Sequence, residues 1–148
     1  MPTAPLLRLS ARLLLLDPRG RLLLFRYHDE HSEPFWATAG GELRPGETYP
    51  EAARRELLEE TGRSFPLGPV VREREAVYPV ARSLPARWVE RYFLIEADEA
   101  FAPSRTGWTE EESATIRAWQ WWSMDEMALS PDDFRPDWLR TVVAESVL

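Results

Sequence analysis

The stretch GGELRPGETYPEAARRELLEETG, residues 40–62, constrains the chain most, because it joins strong helix punctuation to a concentration of like charge. Thr48 followed three residues later by Glu51 has the form of a capping box. Pro50 is tolerated in a first turn, and Gly62 suits the position just past a helix end. The pattern predicts a helix from about Tyr49 to Thr61. At about 100° per residue, Glu56, Glu59 and Glu60 fall within an arc of about 100°, with Ala53 and Leu57 beside them to face a core.

Two readings of these acids compete. In the first they form a solvated face laced by the i,i+4 pairs Glu51–Arg55 and Arg55–Glu59, each worth about 0.3 kcal/mol. That ladder leaves Glu56 and Glu60 as a like-charged i,i+4 pair, since Ala52 and Ser64, one turn to either side, carry no positive charge. In the second reading a hard divalent cation removes the repulsion. Mg²⁺ prefers oxygen ligands and keeps some waters, so a few carboxylates on one helix plus a phosphate oxygen satisfy it. Gly40 and Gly41 permit close backbone approach to such a ligand, and Gly46 permits a tight turn into the helix.

Composition narrows the partners. The chain has 148 residues, 44% of them hydrophobic, enough for a single domain (1–148) with a real core. A formal net charge of −7 argues against a nucleic-acid polymer as partner, because tracking a polyanion requires excess Lys and Arg. With no cysteine, disulfides, thiolate zinc sites and thiol nucleophiles are excluded, and a reducing cytoplasm is the expected setting. His28 and His31 are too few for a histidine metal site. The run LLRLSARLLLL is interrupted by Arg8 and Arg12 and reads as a strand, not a signal peptide. No other segment is long and apolar enough to span a membrane.

Along the chain, Leu7 to Leu15 alternates and then turns to continuous leucine, DPRG is a turn, and RLLLFRY returns as the second arm of a hairpin. HDEHSEPF is a polar loop before WATAGGEL. Beyond the helix, VVREREAVYPV and RWVERYFLIEA are strands joined through ARSLP, DEAFAPSRTGWTEEES is irregular, and AWQWWS is a short aromatic strand. SMDEMAL, led by Ser123 as N-cap, and PDWLRTVVAESV are helices. The order predicts a mixed sheet with helices on its faces.

Gly41, five residues, Glu47, seven residues, Arg55, Glu56, Leu57, one residue, Glu59, Glu60, one residue and Gly62 together resemble the signature of the Nudix (MutT-like) hydrolases. LLLFRY, FWATAGGEL and WQWWSMDEM resemble, in order and spacing, the segments that flank that signature, so the resemblance spans nearly the whole chain. Ala39 stands where the family often has proline, and Arg63 where it usually has an apolar residue. The resemblance implies an α/β/α sandwich and a Mg²⁺-dependent hydrolase, with Mn²⁺ as an alternative ion, that cleaves a nucleoside diphosphate linked to another group X. It further implies Glu59 and Glu60 as main metal ligands, Glu56 as metal or water holder and base, and the Gly40 carbonyl in the inner shell. Arg55 would orient Glu59, and Glu47 would brace the loop. Family members often add an acid from a loop before the last strand. Glu112, then Glu111, then Glu110 are the candidates here, against a plain helix N-terminus capped by Thr109.

For the substrate, Trp36 is a candidate base-stacking residue with Phe35 as its alternative, against a core role for Trp36. Gly41, Arg26, Arg82 and Arg87 are candidates to meet phosphate, each arginine being equally an ordinary surface residue. Trp119 and Trp121 share one strand face and Trp122 the other. The same fold hosts isopentenyl diphosphate isomerases, which need a reactive cysteine that this chain lacks. A nucleotide-binding sensor without turnover is the non-enzymatic alternative, and such proteins commonly lose acids that this chain retains. The family often forms homodimers.

Overall fold

The computed structural model describes residues 6–28, 33–78 and 85–146. His31 and Arg82 lie outside the described residues.

β1 (Leu6–Leu16) is the central strand. It runs parallel to β6 (Ala86–Glu96), from Leu6 opposite Ala86 to Leu16 opposite Glu96. Its leucine run has a simple cause. Ala11, Leu13 and Leu15 enter one core with Ala52, Ala53 and Leu57 of α1 (Tyr49–Thr61), while Leu14 and Leu16 enter a second. That second core contains Met127 of α3 (Met124–Leu129) and Leu139 and Val142 of α4 (Leu139–Ser146). A strand covered on both faces needs apolar residues at both parities. The result is the expected α/β/α sandwich: a mixed seven-stranded sheet between α1 on one side and α3 and α4 on the other.

The expected hairpin is made only at its base. β1 and β2 (Leu22–Tyr27) pair at Leu16 and Leu22, around a turn in which Asp17 Oδ1 accepts from the amides of Arg19 and Arg21 at 3.0 and 2.8 Å. Further along, β1 gives its edge at Ser10, Ala11 and Arg12 to β4 (Gly40–Glu42). β2 turns instead to β3 (Phe35–Ala37) on one side and β7 (Ile116–Trp122) on the other. The sheet therefore splits between β1 and β2, and residues 38 and 39 cross the split. β5 (Val70–Tyr78) closes the far edge against β6, and its run Arg72, Glu73, Arg74, Glu75 keeps that edge charged.

α1 begins and ends as its sequence predicts. Thr48 accepts from the Glu51 amide, Glu51 accepts from the Thr48 amide at 3.0 Å, and Gly62 takes φ 77° in the left-handed region. Its last carbonyls are satisfied by the irregular segment before β7: the Ser104 amide donates to Thr61 at 2.9 Å and Trp108 Nε1 to the Glu60 carbonyl at 2.8 Å. This segment continues into α2 (Glu110–Thr115), capped by Thr109, and leads directly into β7. Along β7, Trp121 enters the first core and Trp122 the second, while Trp119 is 41% exposed.

Removing the cap isolates the local contribution of α1. Thr48→Ala should lower stability by about 1 kcal/mol in urea unfolding, with little change in the slope of the transition.

Candidate active site

Three carboxylates meet where α1 passes under β4 and α2. Glu56 and Glu60 lie one turn apart on α1 at 7% and 2% exposure, and half-buried Glu112 reaches in from the first turn of α2. One oxygen from each lies within 4.8 Å of the others. The paired glycines make this approach sterically feasible. A Cβ on Gly41 would stand 2.4 Å from Glu56 Oε1, and one on Gly40, at φ 139°, would stand 2.3 Å from the Ala11 carbonyl oxygen. The Gly40 amide donates to Glu60 Oε2 at 3.1 Å.

Arg55 organises the outer side of the cluster. Its Nε and Nη2 grip Glu47 at 2.8 and 2.7 Å, and its Nη1 donates to Glu56 Oε1 at 2.7 Å and Glu59 Oε2 at 3.1 Å. Nη2 also donates to the Glu42 carbonyl at 3.0 Å, tying β4 to the helix. The Arg44 amide donates to Glu47 at 3.0 Å, which closes the loop. The ladder pair Glu51–Arg55 is not made, because Glu51 is engaged in the cap and Arg55 turns toward Glu47.

The electrostatics follow from this packing. Hydrogen bonds from Arg55 hold the Glu47 carboxyl down to about 2. Burial pushes Glu56 above the usual carboxylate range despite Arg55. Glu60 stands well above it, first through burial, then through its hydrogen bond with Glu112 and the nearby charges of Glu56 and Glu112. Three carboxylates crowded together, two of them buried, with an all-oxygen donor set, fit a hard divalent cation.

Other expected site residues fall in different places. Glu59 lies outside the trio, its carboxylate shared between Arg55 and Arg44 at 3.1 and 3.2 Å. The capping-box reading of Glu112 and its place in the trio hold together: its backbone amide donates to Thr109, one carboxylate oxygen accepts from the Thr109 amide at 2.9 Å, and its side chain hydrogen-bonds to Glu60. Glu110 and Glu111 are exposed. Trp36 requires a correction. It is 5% exposed in the second core, edge-on to Trp122 at 5.1 Å, with its Nε1 donating to Asp132 at 3.0 Å. Successive strand residues face opposite ways, so Trp36 points away from α1. Arg26, opposite Trp36 in the register, is corrected with it, since it pairs with the same Asp132 oxygen at 3.0 Å. Phe35 points to the α1 side and is half-buried, stacked on Tyr27 at 5.6 Å. Arg87 pairs with Glu75 at the far end of β6, opposite Leu7, while β4 meets β1 at Ser10 to Arg12.

Four residues around the site were not anticipated: Arg44 on Glu59, Trp108 on the Glu60 carbonyl, and Arg12 with Thr38 in the sheet split. Only Arg12 carried a visible signal, as a cation inside an apolar strand.

A mixed sheet between helices, with glutamates of one helix gathered against a glycine pair and a loop acid, defines a class of α/β/α proteins with an all-oxygen acid site able to take a divalent cation. Comparisons with known proteins agree with that class. The NUDIX domain family matches residues 6–144, and the chain belongs to that family. An RNA pyrophosphohydrolase of Erythrobacter litoralis is 30% identical over 93% of this chain and 89% of its own length. Among solved structures, the MutT protein of Methanosarcina mazei superposes with a TM-score of 0.70 at 17% identity, covering 97% of this chain and 95% of its own. A MutT NUDIX hydrolase of Burkholderia pseudomallei does so with a TM-score of 0.70 at 19% identity, covering 96% and 98%. As an enzyme, the chain is a Nudix pyrophosphohydrolase acting on phosphoanhydride bonds.

Two measurements follow from this geometry. Trp36→Ala removes a core side chain, so it should cost about 3–5 kcal/mol in urea unfolding while KM of the folded fraction stays unchanged. A raised KM with unchanged stability would restore a stacking role. The second is pH dependence without metal. Because Glu56 and Glu60 are held above the ordinary range, the folded state binds more protons there than the unfolded chain. Their stabilisation is present at and below the unfolded value and is lost as pH rises through the raised ones. Glu47 acts oppositely, but only between its ordinary value of 4.5 and about 2. In EDTA, raising pH from about 5 to about 7.5 should therefore lower Tm of the protein relative to Glu60→Gln. A difference that stays flat over that window contradicts the burial argument.

Proposed function

We propose that this protein hydrolyses the diphosphate linkage of a nucleoside diphosphate joined to another moiety X, using Mg²⁺, or Mn²⁺ in its place. The observation that carries the reading is the convergence of Glu56, Glu60 and Glu112 within 4.8 Å, two of them buried. When bound, the divalent ion would screen the negative charge of the diphosphate and make water a better nucleophile. Glu56, Glu60 and Glu112 would hold it, with the Gly40 carbonyl in the inner shell and Glu59 turned in from its arginines.

The chain's own residues supply the remaining parts. Arg55 keeps Glu56 and Glu59 oriented through the hydrogen bonds of one guanidinium group. Glu47 anchors that guanidinium from the loop. Glu56, whose raised proton affinity comes from burial, is the candidate to take a proton from the attacking water. Gly41, with no side chain, lets the Glu56 carboxylate lie against the β4 backbone and remains a candidate to meet phosphate through its own backbone, and Phe35 is the remaining candidate to meet a base. In this reading residues 1–148 are one Nudix domain in a cytoplasmic setting, and a homodimer is one assembly open to it.

The relative named RNA pyrophosphohydrolase makes a triphosphate-ended RNA a second substrate to test, and the net charge of −7 weighs against an extended RNA-binding surface. A substrate panel decides: nucleoside triphosphates, dinucleoside polyphosphates, nucleotide sugars including ADP-ribose, and a triphosphate-ended oligoribonucleotide, each with Mg²⁺ and with EDTA. Products should be a nucleoside monophosphate plus X-phosphate, or pyrophosphate from a triphosphate. Glu60→Gln should lower kcat by about a hundredfold or more, the loss expected when several kcal/mol of transition-state charge stabilisation is removed, with the fold intact. Nucleotide binding without turnover on every member of the panel would overturn this substrate reading.

A further inference from the structure

We propose that Arg12 is a positioning residue for the acid site. Its guanidinium clamps Thr38 across the split in the sheet and so holds the Gly40 amide against Glu60.

Half-buried Arg12 sits at the start of the leucine run of β1, between buried Ala11 and buried Leu13. Placing a cation there is costly unless its hydrogen bonds are met, and a Leu or Met of similar length would fill the volume without that cost. Among the described residues no carboxylate lies within ion-pair distance of it; its Nε and Nη2 donate to Thr38, and the Tyr27 hydroxyl lies beside it. Nε donates to the hydroxyl at 3.2 Å, and Nη2 donates to the carbonyl. A planar guanidinium can straddle two such acceptors, which an ammonium cannot.

The topology explains why Thr38 needs these donors. β3 belongs to β2 and β4 belongs to β1, so the chain crosses between them at residues 38 and 39, where the two ladders part. Ala39 is tied to β1 by the Leu13 amide at 2.9 Å. Thr38 is 1% exposed and lies outside both strands, so its carbonyl must find donors among side chains. Arg12 supplies one, and the Tyr27 hydroxyl, at 3.4 Å, supplies another. Two residues on, the Gly40 amide is the backbone donor that reaches Glu60. Gly40 has no room to retreat on its other side, where the Ala11 carbonyl oxygen and Arg12 Cα lie 2.3 and 2.8 Å from the place of a Cβ. A shift at Thr38 is therefore passed to the bond between Gly40 and Glu60.

The charge of Arg12 acts in the same sense. It opposes the rise in proton affinity that burial imposes on Glu60, and in return Tyr27, Glu90, Tyr92 and Glu60 offset the desolvation of the guanidinium. The consequence for metal affinity rests on the metal-site reading given above, whereas the clamp itself rests on the hydrogen bonds and the register.

The test uses the full chain with Arg12→Met, which removes charge and donors, and Arg12→Lys, which keeps the charge but cannot straddle Thr38. In metal-free, ¹⁵N-labelled protein the Gly40 amide resonance is expected to shift and lose exchange protection in both variants, while the β5 and β6 amides stay put. Mn²⁺ affinity, read by electron paramagnetic resonance without substrate, is expected to fall by about tenfold or more in Arg12→Met and by less in Arg12→Lys, as when a residue that orients metal ligands is lost. On the best panel substrate, kcat should fall with KM little changed. Folded variants that keep the Gly40 amide where it was and bind Mn²⁺ within about twofold of the parent would reduce Arg12 to a stability residue and overturn the proposal. If Arg12→Met fails to fold, Arg12→Lys decides by the same readings. Failure of the parent protein to bind Mn²⁺ would overturn the metal reading, while the Gly40 amide would still report on the clamp.

Discussion

Mutual repulsion among carboxylates that share a confined space governs the rest of this structure. Two full charges about 4 Å apart repel by roughly 4 kcal/mol even in the moderately polarisable setting of a protein surface, and by more as water is excluded. The chain relieves this in several ways at once. Burial favours protons on Glu56 and Glu60, Arg55 donates to Glu56 and Glu59, and the Gly40 amide donates to Glu60.

The supporting architecture reads as a consequence. Arg55 could not face the acids unless Glu47 held its far side, and Glu47 is placed by the tight loop into α1, where the Arg44 amide caps its carboxylate. Glu112 arrives only because the segment after β6 folds back over the C-terminal end of α1. There Gly107 comes so close to Glu59 that a Cβ would lie 2.5 Å from its carbonyl oxygen. The indole of Trp108 seals the same junction, edge-on to Phe25 of the first core at 5.6 Å. Segments distant in sequence thus meet over one helix, and the side chains joining them are mostly hydrogen-bonded cations and aromatics.

The two faces of the sheet divide the labour. On the α1 side lie the acids, the glycine pair and half-buried Phe35. On the other side Trp36, Trp122, Phe134 and Tyr92 pack against α3 and α4. Likeness to solved structures at 17% and 19% identity concerns this arrangement of layers, while the family match over residues 6–144 carries the chemical class. Substrate choice depends on side chains around the acids that differ freely between proteins sharing such a framework.

How much could be read before folding depended on the range of the interaction. The limits of α1, its capping box, the left-handed Gly62 and the one-turn spacing of Glu56 and Glu60 are set by residues within a few positions of one another, so they were visible in residues 48–62. The spacing of Glu47, Arg55 and the helix acids carried the family resemblance for the same reason. Phe35 and Trp36 were both open to stack a base, because nothing local says which face of the strand carries α1. That was settled when α3 and α4 covered the Trp36 side and Asp132 took its indole proton. Likewise, the apolar neighbours of Arg12 marked it as unusual without showing what it would hold, and nothing local distinguished Glu112 as a capping residue from Glu112 as a neighbour of Glu60. Both depend on where a sheet splits and where a loop returns, and those are decided by pairing between residues remote along the chain, β1 with β4 and β6, which local periodicity does not encode.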